Sequence, residues 1–279
     1  MASVLLLVLY DTFRAASWPA LHGLGLGPLG LSSSALSLLL VFRTNTSYQR
    51  FDEARRLWGS IVNRSRDLVR QSLVWFPPER VALRAALVRW VVALATCVRL
   101  HMRAPREDTP AALAGWLSAD ELAGLAAAAH RPNHCLQVLS HVIAAGSPDS
   151  HAALRLDEDL KFLEDTIGGC ERVFRTPIPL SYTRHTSRLL LFWLAYMPAA
   201  LFSELRVQAL LVAPMLVLVL FGIDEIGLEL EEPFSILPLE VLCDAIKAQT
   251  VELAASDADV RGMVDAYARA DGSVPAAVV

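Results

Sequence analysis

Gly25, Gly27 and Gly30 reproduce the GxGxxG spacing that cradles a dinucleotide pyrophosphate. No strand pattern precedes them and Pro28 follows the second glycine, so the segment reads as a turn before a helix. His130 and His134 have the i, i+4 spacing of a metal pair, with Cys135 and His141 nearby. Pro132 lies between the two histidines and prevents one continuous helix face. Asn45-Thr46-Ser47 and Asn63-Arg64-Ser65 match the glycosylation acceptor pattern, but both fall on an Arg-rich helix rather than in a secreted loop. His185, four residues after Ser181, reads as a packing or interfacial histidine. With no Ser/His/Asp set, HExxH or phosphate loop, enzyme chemistry is not expected, nor is a metal or a cofactor.

The residue pattern that does stand out is geometric. At 100° per residue, Ser34, Leu38 and Phe42 fall within about 80° on one helical face, and Asn45 and Gln49 continue the line. Arg43 and Arg50 lie roughly opposite. One face can therefore border a path while the other pairs with acids. The candidate acids are Glu225, Glu229 and Glu232, whose spacing of four and three places them on one helical face. Their alternative is a solvated face.

The elements that must carry these residues follow from breakers and charge. Between Gly30 and Phe76 there is no proline and one further glycine, Gly59. A helix of about 47 residues at about 1.5 Å each would reach about 70 Å, far beyond a hydrocarbon core of about 30 Å. Its start is apolar and its continuation densely charged, as in a rod leaving a membrane. Of the 279 residues 54% are hydrophobic and 19% charged, which suits a chain part in lipid and part in water. The net charge of −4 argues against nucleic acid, although 13 arginines cluster between Arg43 and Arg106.

"LLLFWLAYMPAALFS" and "VQALLVAPMLVLVLFGI", 15 and 17 residues, read as the arms of an apolar helical hairpin. The opening "MASVLLLVLY" lacks the basic stretch of a cleavable leader, so the chain is expected to begin inside a first membrane helix. Pro105, Pro110, Pro132 and Pro148 punctuate a polar helical region between the apolar zones, and Ser118 with Glu121 forms a capping-box pattern. Cys97, Cys135, Cys170 and Cys243 are widely spaced and read as buried thiols. The chain is expected to be all-α. Arg43 and Arg50 beside the second apolar helix place the central region on the cytoplasmic or stromal side. The expected organisation is 1–45, two membrane helices; 46–184, a cytosolic or stromal helical region; 185–226, the hairpin; and 227–279, a C-terminal segment on the same side.

Three blocks, "LLVFRTNTSYQRFDEARRLWGSIVNRSRD", "TPIPLSYTRHTSRLLLFWLAYMPAAL" and "IGLELEEPFSILPLEVLCDAI", resemble the bestrophin family of ion channels and occupy roughly a quarter of the chain. The forms "RFDEARRLWGS" and "EEPFSILPLEVLC" look closest to the plastid and cyanobacterial branch. The resemblance implies a homopentamer with four membrane helices per subunit, near Met1 to Trp18, Gly30 to Asn45, Thr186 to Ser203 and Val207 to Ile223. It places the pore neck at Ser34, Leu38 and Phe42, the trio that helical periodicity puts on one face. It places an inner constriction at Ile178, the residue before the second proline of "TPIPL".

By this likeness the chain conducts chloride or another small monovalent anion, bicarbonate included, across a thylakoid or bacterial inner membrane, embedded in lipid. A cation-permeable member and a non-conducting scaffold are the competing expectations. The likeness is incomplete. Ser34 stands where the family has a bulkier apolar residue, and the acidic calcium clasp after "EPF" is replaced by "SILPLE", so calcium gating is not expected. Ser33 or Ser34, following Pro28, is expected to offer free N–H groups at the pore mouth.

Overall fold

The structure is a computed structural model and describes residues 25–103 and 109–270. The expected first membrane helix lies outside the described residues. Ten α-helices run in order among them: α1 Gly27–Trp75, α2 Val81–His101, α3 Thr109–Ala112, α4 Ala119–Ala127, α5 Arg131–Gly146, α6 Ser150–Arg175, α7 Leu180–Leu205, α8 Ala209–Glu231, α9 Pro233–Ile236 and α10 Leu239–Ala270. No β-strand forms among the described residues; Ala114 and Leu117 make one isolated bridge. The all-helical expectation holds. The described residues divide into two compact units, 25–53 with 175–236, and 54–103 and 109–174 with 237–270.

In the first unit, α1 turns Leu29, Leu36 and Leu40 inward, a spacing of seven and four that makes one helical stripe. They pack on Leu190, Leu194, Met197 and Leu201 of α7 and on Ala209 and Ala213 of α8. The hairpin reverses through a 3₁₀ turn at Arg206–Gln208, where Arg206 adopts the left-handed φ of 51°. Phe202, one turn earlier, lies under its guanidinium at 5.7 Å. Pro198 and Pro214 sit inside α7 and α8, each removing one ladder hydrogen bond.

Among the described residues, two stretches are long and apolar enough to cross a membrane, Val81–His101 and Leu180–Glu231, and burial separates them. The most apolar window of the first is 61% buried inside the subunit, as befits a core helix, whereas that of the second is only 11% buried. An apolar surface left so bare requires lipid or other protein around it.

In the second unit, α2 is the central helix: Leu87, Trp90, Val91, Ala93, Leu94, Cys97 and Val98 are buried on all sides of it. The capping box forms, with Ser118 Oγ accepting from the Glu121 N–H and Glu121 accepting from the Ser118 N–H. The four cysteines are buried, as expected. Burial pushes the Cys243 thiol up to about 12.

Asp159 of α6 is buried at 3% exposure and ties that helix to α1, accepting from Arg64 Nη1 at 2.9 Å and Gln71 Nε2 at 2.7 Å. Burial, aided by the neighbouring Asp67 charge, raises its carboxyl above the ordinary aspartate range despite Arg64.

Gly146, at the end of α5, lies against the face of the Phe76 ring so closely that a Cβ would overlap three ring atoms. Phe76 is itself 1% exposed and has nowhere to retreat. Gly146→Ala is therefore expected to cost about 1–3 kcal/mol through overpacking. Thermal unfolding checks this: an unchanged melting temperature would mean that the ring moves freely.

Candidate functional site

The outward face of α1 is the first candidate. Ser34, Leu38, Phe42, Asn45 and Gln49 are all exposed within the subunit, Leu38 at 54% and Phe42 at 53%. On the other side of the same turns, Leu36, Leu40, Arg43 and Ser47 are buried. The helix is thus two-faced at the expected residues, with its apolar groups distributed to both faces.

Helix α1 begins at Gly27, so Ser33 and Ser34 lie in its second turn. Their N–H groups are past the unsatisfied first turn, and the free donors belong to the residues around Pro28 instead. The Ser33 hydroxyl donates back to the Gly30 carbonyl at 2.7 Å.

The buried face is fixed by charge and by hydrogen bonds. Arg43, 2% exposed, pairs with Asp224 of α8 and donates to Ser187 Oγ of α7 at 3.2 Å. The expected partners differ by one position: Glu225, Glu229 and Glu232 are exposed, and the acid that meets Arg43 is Asp224. Gly227, three residues on from Asp224, is buried and packs beside Thr44 and Arg43 of α1. Asp224 shares this inward face of α8, and the three glutamates turn away.

Arg50 donates to the Thr176 carbonyl at 2.6 Å and to the Glu231 carbonyl at 3.3 Å. It holds the link into α7 and the end of α8 by their backbones. Tyr182 Oη donates to the Leu39 carbonyl and Tyr196 Oη to the Gly25 carbonyl, each at 3.3 Å, so α7 braces the first turns of α1.

Ile178 is 5% exposed, while Thr176, Pro177, Pro179 and Leu180 around it are exposed. Its side chain turns into the subunit.

Glu240, the one carboxylate in the segment that replaces the acidic clasp, is engaged by Arg99 at 3.0 Å and by Arg103 at 2.8 Å. Burial works to raise its carboxyl, but its own N–H and the two guanidiniums outweigh burial and hold it below the ordinary range. Positive charge is already supplied to this carboxylate by the chain itself.

The histidine group separates in space. His134 makes an edge contact with Trp90 at 5.9 Å, and Cys135 lies 3.7 Å from Cys97. His130 caps α5, its Nδ1 accepting the Asn133 N–H at 3.2 Å. Its Nε2 lies 2.6 Å from Glu171, a partner that no local spacing indicates.

A two-faced helix braced by an apolar hairpin, with a separate helical unit around a buried central helix, defines the class. The chain belongs to the bestrophin family: residues 1–252 match the family described as Bacterial/Fungal Bestrophin protein. It is 34% identical to a voltage-dependent anion channel-forming protein of Nostoc sp., over 92% of this chain and 85% of that one. It is 33% and 32% identical to the chloroplastic voltage-dependent chloride channels 2 and 1 of Arabidopsis thaliana, over 87% and 91% of this chain. Those matches span only 59% and 63% of the two Arabidopsis proteins. Among solved structures, a bacterial bestrophin homolog from Klebsiella pneumoniae aligns with a TM-score of 0.83 at 26% identity, covering 91% of this chain and 96% of that one. A crystal structure described as that of a membrane protein aligns with a TM-score of 0.82 at 27% identity, covering 90% and 94%.

Proposed function

We propose that this chain is the subunit of a homopentameric anion channel, with Ser34, Leu38 and Phe42 of five copies forming the neck of one axial pore. The observation that carries the reading is the exposed line from Ser34 to Gln49 on a helix whose opposite face is buried. A bare line of Leu38 and Phe42 calls for an environment other than bulk water, and a ring of identical helices supplies one. Five phenyl groups set edge-on present positive rims to an anion, and an apolar ring can gate by dewetting.

The start of α1 has no acid in its first turn to offset its positive dipole end, which favours an anion at the mouth of the proposed pore. Arg43 is neutralised by Asp224 and adds to neither sign.

The names of the relatives from Nostoc and Arabidopsis support an anion, chloride among them. Four membrane helices per subunit belong to this proposal, with α7 and α8 as the lipid-facing hairpin, in a thylakoid or bacterial inner membrane. Calcium gating is left out of it, because Arg99 and Arg103 already occupy Glu240.

The test is the reversal potential of the purified protein in planar bilayers under a KCl gradient. Reversal close to the chloride equilibrium potential is the expected result. Reversal close to that of potassium would make the channel cation-permeable, and intact pentamers without conductance would make it a scaffold.

A further inference from the structure

His101 closes α2, His130 caps α5 and Glu171 lies in the last part of α6. The three side chains offer ligand atoms that all lie within 4.8 Å of one another. His130 Nε2 is 2.6 Å and His101 Nε2 is 3.1 Å from the same Glu171 Oε1, and the two imidazole centroids are 4.8 Å apart. We propose that these three residues form a binding site for a divalent transition metal of the zinc class, clamping α2, α5 and α6 together.

The donor set selects the ion. Two imidazole nitrogens and one carboxylate oxygen suit zinc, cobalt or nickel, whereas calcium and magnesium require mostly oxygen. With metal–ligand bonds of about 2.0–2.1 Å in a tetrahedron, neighbouring donor atoms stand about 3.3 Å apart. The His101 to Glu171 separation of 3.1 Å is close to that already. The His130 to Glu171 pair, at 2.6 Å, opens by about 0.7 Å to admit the ion.

The side chains are 13%, 28% and 20% exposed, so water reaches the group and can supply a fourth ligand. Metal binding through His130 Nε2 moves that ring's proton to Nδ1, so the exposed cap bond from Asn133 is surrendered to water. The local spacing of His130, His134, Cys135 and His141 does not build this site: His130 alone of the four joins it, with partners from two other helices.

The experiment strips the purified full chain with a chelator and titrates it with Zn²⁺ or Co²⁺ at neutral pH. The expected results are one tightly held zinc per subunit, a higher melting temperature than the stripped protein, and intense visible absorption of four-coordinate Co²⁺. His101→Gln and Glu171→Gln should each abolish the cobalt bands. Stripped wild type that gives no such bands, or variants that retain bound zinc and the bands at wild-type levels, would overturn the proposal. The wild-type cobalt spectrum stands alone as a test if either variant fails to fold.

Discussion

Phe42→Ala channels in planar bilayers are expected to pass several times the wild-type current and to lose most of their rectification. Phe42 is 53% exposed within its own subunit, so the substitution removes little from the subunit core. In the proposed ring, the same substitution deletes five phenyl groups at one level of the pore. An apolar constriction excludes water because too few partners remain for it there, and widening it by five rings rewets it. Ser34, two turns earlier, offers hydroxyls at the outer level, so Phe42 and Leu38 carry the dry part of the neck alone. Leu38→Ala should act in the same direction with a smaller effect. The control is thermal stability, expected to stay close to wild type because the buried side of α1, Leu36, Leu40 and Arg43, is untouched. Conductance and rectification identical to wild type would remove Phe42 from the pore.

The sequence makes the long helix and its two faces legible for a simple reason: breakers and periodicity are local. Nothing between Pro28 and Pro77 interrupts α1, and the 100° step alone sorts Phe42 outward and Arg43 inward. The Ser118 and Glu121 cap is equally local, because both partners lie within one turn. Asp159 carries a weaker signal, since it sits in the apolar stripe of Leu156, Leu160 and Leu163 and so must be buried.

Contacts between distant elements are different. Glu225, Glu229 and Glu232 share a face, but only the neighbour decides which face docks, and here the docked face carries Asp224 to Arg43. That Ile178 turns into its own subunit is likewise set by packing, which the "TPIPL" motif does not encode. His101, His130 and Glu171 come from three helices, and their meeting depends on how α5 and α6 pack on α2, which no spacing rule encodes.

Asp224→Leu is expected to be the most damaging single substitution in the membrane-facing unit. It leaves Arg43, 2% exposed, without its carboxylate, and an uncompensated buried charge costs about 3–5 kcal/mol. The Ser187 hydroxyl remains as an acceptor at 3.2 Å, but a neutral oxygen offsets only part of that loss. Pairing the change with Arg43→Met tests the cause, because two apolar side chains of similar volume can pack where the ion pair stood. The double variant should recover most of the lost melting temperature and, in detergent, most of the proposed pentamer. If it remains as unstable as the single variant, then the defect lies in packing beside Gly227 rather than in the orphaned guanidinium. If the single variant alone loses less than about 1 kcal/mol, the value of an exposed pair, then water reaches Arg43 and the buried face of α1 is wetter than its burial indicates.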